Sequence, residues 1–351
     1  MSRALLLTCA TLTALAFGIQ LDAQVLGGQY AHAWLAAPPS AHTTGLGGWQ
    51  LTLDSRDPAL SSFSPALVTE AADRVVQLSQ DFQKADVGRS MLSGGYHLDG
   101  LDADVAVNLQ YAGYGEFEGR DERGVATAPF RASEYGLGLA FAKTFNARLR
   151  VGAGLQVVGG SIEAFNSFGL GFSAGATYSP DTLGRTLVGL QLQHAGVLLN
   201  GYTDERDVLP TAASIGISRR LRYLPLRVGL LYRRLDRWDL LYDDPERRES
   251  TVLIGGEASE RGAAAEFVDN FTRHLAVNAE FYLGKNDVVQ LRLGYDHQRQ
   301  RESRVGEFRS LAGFSYGFGL NFRRFRLDYG HGIQHLAGGP HHLGLLIDLG
   351  A

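Results

Sequence analysis

The sequence predicts an all-β chain: a transmembrane antiparallel β-barrel of about fourteen strands with an N-terminal plug-like segment. Three observations carry that prediction. From residue 74 onward, large apolar residues recur at every second position, as in "FSYGFGLNF" over 314–322. The residues between them are small or polar, and the 351-residue chain holds 44 glycines but only 10 prolines. The stretches that join the alternating runs are themselves alternately tight and long. Glycine weakens a strand and is not favoured on a solvated face, so a glycine-rich face points to a crowded interior and the greasy face to lipid.

Taken in order, the chain opens on a secretory signal pattern over residues 1–23. Arg3 precedes an apolar run, and Leu21-Asp22-Ala23 offers a small-residue cleavage site before Gln24. The single cysteine, Cys9, falls inside this stretch, so the rest of the chain offers neither a disulfide nor a thiolate metal site. Beyond it, no apolar run is long enough to predict a spanning helix. Residues 24–73 lack the alternation and are rich in Ala, Ser and Pro; "DPALSSFSPALV" reads as a turn or short helix. This segment is predicted to pack in or under the barrel formed by residues 74–351.

Within the barrel, Leu137, Leu139 and Phe141 alternate with Gly138, Ala140 and Ala142, and Phe168, Leu170 and Phe172 with Gly169, Gly171 and Ser173. The same rhythm runs through Leu226–Tyr232, Val289–Tyr295 and Leu343–Leu349. Tight turns are predicted at "LDGLD", "TFNAR", "SPDTLG", "RYLP", "GKND" and "FRRF", each at every second connection. Longer loops lie between them, over 114–130, 200–210 and 239–272, and a medium one over the fifth connection. Outer-membrane barrels show this asymmetry of short turns and long outside loops. Aromatic residues at strand ends, such as Tyr178, Tyr232 and Tyr329, suit an interfacial girdle. A soluble secreted β domain is the bland alternative.

A net charge of −4 gives no general attraction to nucleic acid, and no basic-aromatic platform is present. No catalytic constellation, metal set or cofactor motif stands out. The candidate inward-facing polar residues are Gln156, Gln193, Asn278, Glu280, Arg292, Asn321, Arg326 and Asp328. They carry both signs, and an interior of this kind suits a filled barrel better than a wide pore. The candidate partner-binding residues lie at the start of the outer loop 239–272: Trp238, Asp239, Tyr242, Asp243, Asp244, Arg247 and Arg248. Trp238 and Tyr242 suit either the headgroup level or a protein contact. The middle of this loop, "GGEASERGAAAE", has the composition of a segment that orders on binding. His341-His342 is read as part of a turn, "AGGPHH", and the basic string "HQRQRESRVGEFR" either as a solvated strand end or as a contact for anionic lipopolysaccharide or a partner loop.

Several stretches are worded in a familiar way. "LQYAGYGEFEGRDERG", "FRASEYGLGLAFAKTFNARLRVGAGLQVV", "RWDLLYDDP", "FTRHLAVNAEF", "LRLGYDHQRQRE" and "LAGFSYGFGLNFRRFRLDYGHGIQHLAGGPHHLGL" resemble the PorQ family of type IX secretion proteins, as does "LAAPPSAHTTGLGG" near the start. The resemblance implies a FadL-like barrel in the cell outer membrane of a Bacteroidetes-related bacterium. It implies a non-enzymatic part in an attachment complex, anchoring a PorZ-like surface protein and, through it, a PorU-like sortase and a PorV-like barrel. That complex joins secreted cargo to lipopolysaccharide. Related barrels carry Asn-Pro-Ala near the N-terminal segment, where this chain has Ser64-Pro65-Ala66. The FadL-like architecture leaves a second expectation open: a transporter of small hydrophobic molecules, with the N-terminal segment as a movable plug.

Overall fold

The computed structural model describes residues 30–53, 55–84, 86–146, 148–202, 207–241, 263–303, 311–335 and 338–350. The signal pattern of residues 1–23 lies outside them, as do Tyr242, Asp243, Asp244, Arg247 and Arg248. The alternating runs form fourteen strands: β1 Val75–Phe82, β2 Gly88–Leu98, β3 Ala103–Phe117, β4 Phe130–Asn146, β5 Leu149–Ile162, β6 Phe165–Tyr178 and β7 Thr186–Asn200, followed by β8 Ala212–Arg220, β9 Leu226–Arg233, β10 Leu275–Leu283, β11 Val289–Asp296, β12 Phe314–Asn321, β13 Phe325–Gly332 and β14 His341–Asp348. Each pairs antiparallel with its sequence neighbours, and β1 pairs β14 from Val75↔Asp348 to Phe82↔His341, so the sheet closes into a barrel. Closure gives every strand a partner on both sides, which is what a bilayer demands of strands.

Period two puts one face of every strand outside. Large apolar side chains stay exposed on all fourteen, among them Leu78, Tyr135, Leu155, Phe172, Leu293, Phe318 and Leu343. A belt of this extent has no counterpart on a soluble monomer and is the surface of a membrane-spanning barrel. The opposite faces are buried. The turn end is formed by tight connections. In the β6–β7 turn, Asp181 accepts hydrogen bonds from the amides of Leu183 (3.0 Å), Arg185 (2.9 Å) and Thr186 (2.7 Å). Those amides, Arg185 foremost, hold its carboxyl below the ordinary value of 3.8.

The loop end departs from expectation in four places. The β5–β6 connection is only Glu163 and Ala164, tighter than the medium loop anticipated. The long connection after β9 ends in a helix, α2, over Ala263–Arg273, so the last part of the stretch read as disordered is ordered. Phe267 and Phe271, four apart, form one helical stripe there. His341 and His342 begin β14 rather than sit in a turn. His342 is buried inside, whereas His341 stacks on His331 outside (4.3 Å between rings), so the two cannot share an ion. Residues read as a solvated strand end form a further helix, α3, over His297–Glu302. The helix α1, Ala41–Gly45, belongs to the N-terminal segment and carries a capping box between Ser40 and Thr43.

That segment runs the length of the barrel. At the loop end Tyr30 bridges Val208, and at the turn end the Asp73 carboxylate accepts from the His97 amide (3.0 Å), just before β1. Between these points it forms α1 and short 3-10 turns at Pro58–Ser62, Pro65–Leu67 and Glu70–Ala72. Ser64 precedes the second of these, and its side chain makes no cap hydrogen bond; Pro65 in the first helical position sets the turn instead.

Candidate functional site: the barrel interior and its loop-end mouth

Glycine on the inner wall lets the N-terminal backbone come close. A Cβ on Gly294 would stand 2.2 Å from the Gly47 amide nitrogen, and one on Gly330 would stand 2.3 Å from the Ala41 carbonyl oxygen. Any side chain at these two positions would collide with main chain, which cannot swing away. These two glycines are thus the imprint of residues 41–47, as Gly152 and Gly189 are of Pro65 and Leu51.

Polar side chains fill the middle of the barrel. From β10, Glu280 lies 2.9 Å from the His42 imidazole of α1 and accepts from Arg292 of β11 (2.9 Å) and from the Tyr282 hydroxyl (2.6 Å). Arg292 donates onward to Asp328 of β13 (2.7 Å) and to Gln290 (2.5 Å), and Asp328 accepts from Arg326 (2.6 Å). Arg326 reaches Ser55 (3.4 Å) and Asp57 (3.8 Å) of the N-terminal segment. Lower down, Arg56 bridges Asn321 (2.8 Å) and Asp348 (3.3 Å). Each ion of the Glu280–Arg292–Asp328–Arg326 network therefore has a partner of opposite sign, the condition on which buried charge is tolerated. On the β14 side, His342 joins Thr44 (2.8 Å) to Ser79 (2.5 Å), and the Ser79 hydroxyl donates to the Pro39 carbonyl (3.2 Å).

The loop-end mouth has a different character. Trp34, Leu35, Ala112, Val158 and Leu209 form one buried apolar cluster, with Tyr114 and Leu198 packed against it. Glycines give these side chains room: a Cβ on Gly136 would meet the Trp34 ring at 3.0 Å, and one on Gly196 would meet Leu209 at 2.7 Å. At its rim, His32 lies 2.7 Å from Glu134 and 2.8 Å from Ser167, and the Tyr114 hydroxyl also donates to Glu134. The wall is incomplete beside this cluster. β7 pairs with β8 only over Thr186–Gln193; above that, Val197 bridges Val208 of the intervening loop. One cavity of about 20 Å³ is lined by Ser61, Asn108 and Gln156, and another of about 20 Å³ by Trp34, Pro38, Arg89 and His342. Each has room for about one water.

Seven of the eight inward-facing candidates, Gln156, Gln193, Asn278, Glu280, Arg292, Arg326 and Asp328, are buried on the inner wall, and Asn321 is half-buried at the turn end. The structure brings Glu280, Arg292, Arg326 and Asp328 into one network; Gln156 instead binds His194 (2.9 Å). Sequence reasoning missed the N-terminal partners: His42 and Asp57 in this network, His32 at the mouth and Arg56 at the turn end. Their signal was present, since ionisable residues within an Ala-, Ser- and Pro-rich segment destined for an interior require partners there. Of the partner-binding candidates, Trp238 is exposed at the loop end, and Asp239 accepts from the Leu241 amide (2.9 Å). Among the described residues, no group of three His, Cys, Asp or Glu is arranged to hold a metal.

No family model matches the chain, and no curated protein matches it. Among solved structures it is similar to the Pseudomonas putida toluene transporter TodX, at 12% identity over 88% of this chain and 96% of that one, with a TM-score of 0.52. A TodX deltaS2 mutant, a monoaromatic hydrocarbon channel, matches at 13% identity over the same shares with a TM-score of 0.54. A Pseudomonas aeruginosa FadL homologue matches at 13% identity over 88% and 98%, with a TM-score of 0.47. The fold is that of a FadL-like barrel. These neighbours are transporters and channels rather than enzymes, and none of them supports the PorQ resemblance.

Proposed function

We propose that this chain is an outer-membrane barrel that admits small hydrophobic molecules, with residues 30–73 as its plug. The observation that carries the reading is the contrast between an apolar cluster at the loop-end mouth and a charged, filled middle. An apolar solute gains by leaving water for the mouth, whereas passage down the axis would strip the buried ion pairs of their partners. The exit that avoids this cost is sideways, through the wall above Gln193 where β8 does not pair with β7. Movement of residues 30–35 and 207–211 would open it. A FadL-like fold, shared with a toluene transporter, supports the same reading. The test is uptake of labelled toluene or a labelled fatty acid by cells whose outer membrane carries this chain as its sole added barrel. Saturable uptake above that of vector-only cells is expected; uptake equal to theirs refutes the proposal.

The filled interior also favours a second reading, a non-conducting anchor. In that role the chain would be the component of a type IX secretion attachment complex that holds a PorZ-like protein at the surface, with PorU-like and PorV-like partners assembled through it and lipopolysaccharide as the acceptor for cargo. Deleting residues 239–272 would then release the surface partner while the barrel stays inserted. Retention of the partner by such cells would contradict this reading.

A further inference from the structure

Helix α2 is amphipathic with its apolar side turned outward. Its polar side faces the barrel rim: Asn270, buried, accepts from the Leu240 amide (2.9 Å) and donates to the Trp238 carbonyl (2.7 Å), and Arg273 donates to the Leu240 carbonyl (3.2 Å). Asp269 on the same side pairs with Arg301 of α3 (2.7 Å). Its apolar side is left open, with Phe267 57% and Val268 59% exposed. In water this arrangement exposes apolar area with nothing gained, since surface helices ordinarily bury that stripe.

The open stripe is continuous with the lipid-facing belt. Tyr232 lies on the outward face of β9, in line with Val228 and Leu230, and its ring packs on Phe271 (5.5 Å) and stacks on His274 (4.7 Å). His274 stacks in turn on Trp238 (5.7 Å), and Trp238 packs on Phe267 (5.3 Å). Both His274 ring nitrogens face carbonyl oxygens, of Arg233 (2.6 Å) and of Trp238 (3.0 Å), which fixes the tryptophan backbone against the rim. An unbroken aromatic chain thus climbs from the barrel wall onto the helix. Trp and Tyr gather where one end of the ring is in hydrocarbon and the other among headgroups.

We propose that the apolar face of α2, with Trp238, lies in the outer interface of the bilayer, its occupant being the headgroup-proximal part of the lipid acyl chains. The helix acts as an interfacial anchor that continues the barrel's aromatic belt above the strands. The proposal stands independently of what the barrel carries.

The chain has three tryptophans, and Trp34 and Trp49 lie inside the barrel, Trp34 buried and Trp49 half-buried under Arg233 (4.1 Å). The difference in fluorescence between the native chain and Trp238→Phe therefore isolates Trp238. The full chain is reconstituted in phosphatidylcholine vesicles whose acyl chains carry bromine either near the carbonyl end or near the methyl end. Strong, severalfold quenching of the Trp238 signal by the carbonyl-end bromines, weaker quenching by the methyl-end ones and protection from acrylamide are expected. Phe267→Lys/Phe271→Lys should lose the bromine quenching while the barrel remains inserted. Quenching by acrylamide and not by bromolipid places this face in water, where a protein would be its occupant, and overturns the proposal. Equal or stronger quenching from the methyl end also overturns it, because an interfacial helix does not reach that depth.

Discussion

Replacing Gly330 with alanine sets a methyl group against main chain. The added Cβ would lie 2.3 Å from the Ala41 carbonyl oxygen and 2.9 Å from the Gly45 amide nitrogen, against ordinary contact from 3.4 Å outward. Relief requires a shift of roughly 1 Å, and overpacking of this kind costs about 1–3 kcal/mol. The cost falls on the seating of residues 41–47 rather than on the wall, because the β12–β13 and β13–β14 ladders are unaffected by a side chain on that face. At about 1.4 kcal/mol per factor of ten, the unseated population should rise by roughly fivefold to a hundredfold. Gly294→Ala presses on Gly47 and Leu46 of the same stretch, so the two changes together should give less than the sum of their effects. Hydrogen exchange of the amides of Thr44, Leu46, Gly47 and Gly48 reads the seating directly, since each is bonded within the segment. Gly94→Ala is the control, because a Cβ there meets nothing within 4 Å. Protection of these amides in Gly330→Ala equal to that in Gly94→Ala would refute the reasoning.

Three further outcomes follow from the interior and its ends. Arg292→Leu leaves Glu280 and Asp328 buried without their shared cation and should lower stability by about 3–5 kcal/mol, measured as a fall in the thermal midpoint in detergent, with Arg292→Lys milder. Glu134→Gln weakens the rim contacts of His32 and Tyr114 and should speed amide exchange at residues 31–35 while leaving 44–48 protected. Asp181 has its folded value depressed, so its contribution is full above the ordinary 3.8 and is lost as pH falls through the lower folded value. The thermal midpoints of the native chain and Asp181→Asn should therefore differ at neutral pH and converge in acid; a gap that persists or widens in acid would contradict this.

The barrel was legible because its determinant is local. Phe314, Tyr316 and Phe318 against Ser315, Gly317 and Gly319 state the two faces of a strand within six residues, and "FRRF" and "SPDTLG" state where it turns. The inward side of Glu280, Arg292, Arg326 and Asp328 followed from the same period. Their mutual pairing did not, because it depends on register between β10, β11 and β13. The partners His42 and Asp57 are still more distant in sequence and reach the network only through the path of the N-terminal segment. Composition misled at 263–266, where glycine and charge nearby suggested disorder; the spacing of Phe267 and Phe271 was the better guide to α2. At His341-His342 the neighbouring Gly-Gly-Pro suggested a turn, and the apolar alternation from Leu343 onward was the stronger signal.

The most direct test of the account is to fasten the N-terminal segment to the wall. A Cβ on Gly344 would stand 3.5 Å from that of Ala41, within the range of about 3.5–4.5 Å that a disulfide spans. Ala41→Cys/Gly344→Cys therefore joins α1 to β14, and the chain's own cysteine, Cys9, is the only other thiol. Uptake of labelled toluene should continue at the reduced-form rate when the pair is oxidised, because the sideways exit opens at residues 30–35 and 207–211 and leaves α1 seated. Uptake that falls to the vector-only level on oxidation and returns on reduction would contradict the sideways route and show that solute passes where α1 sits.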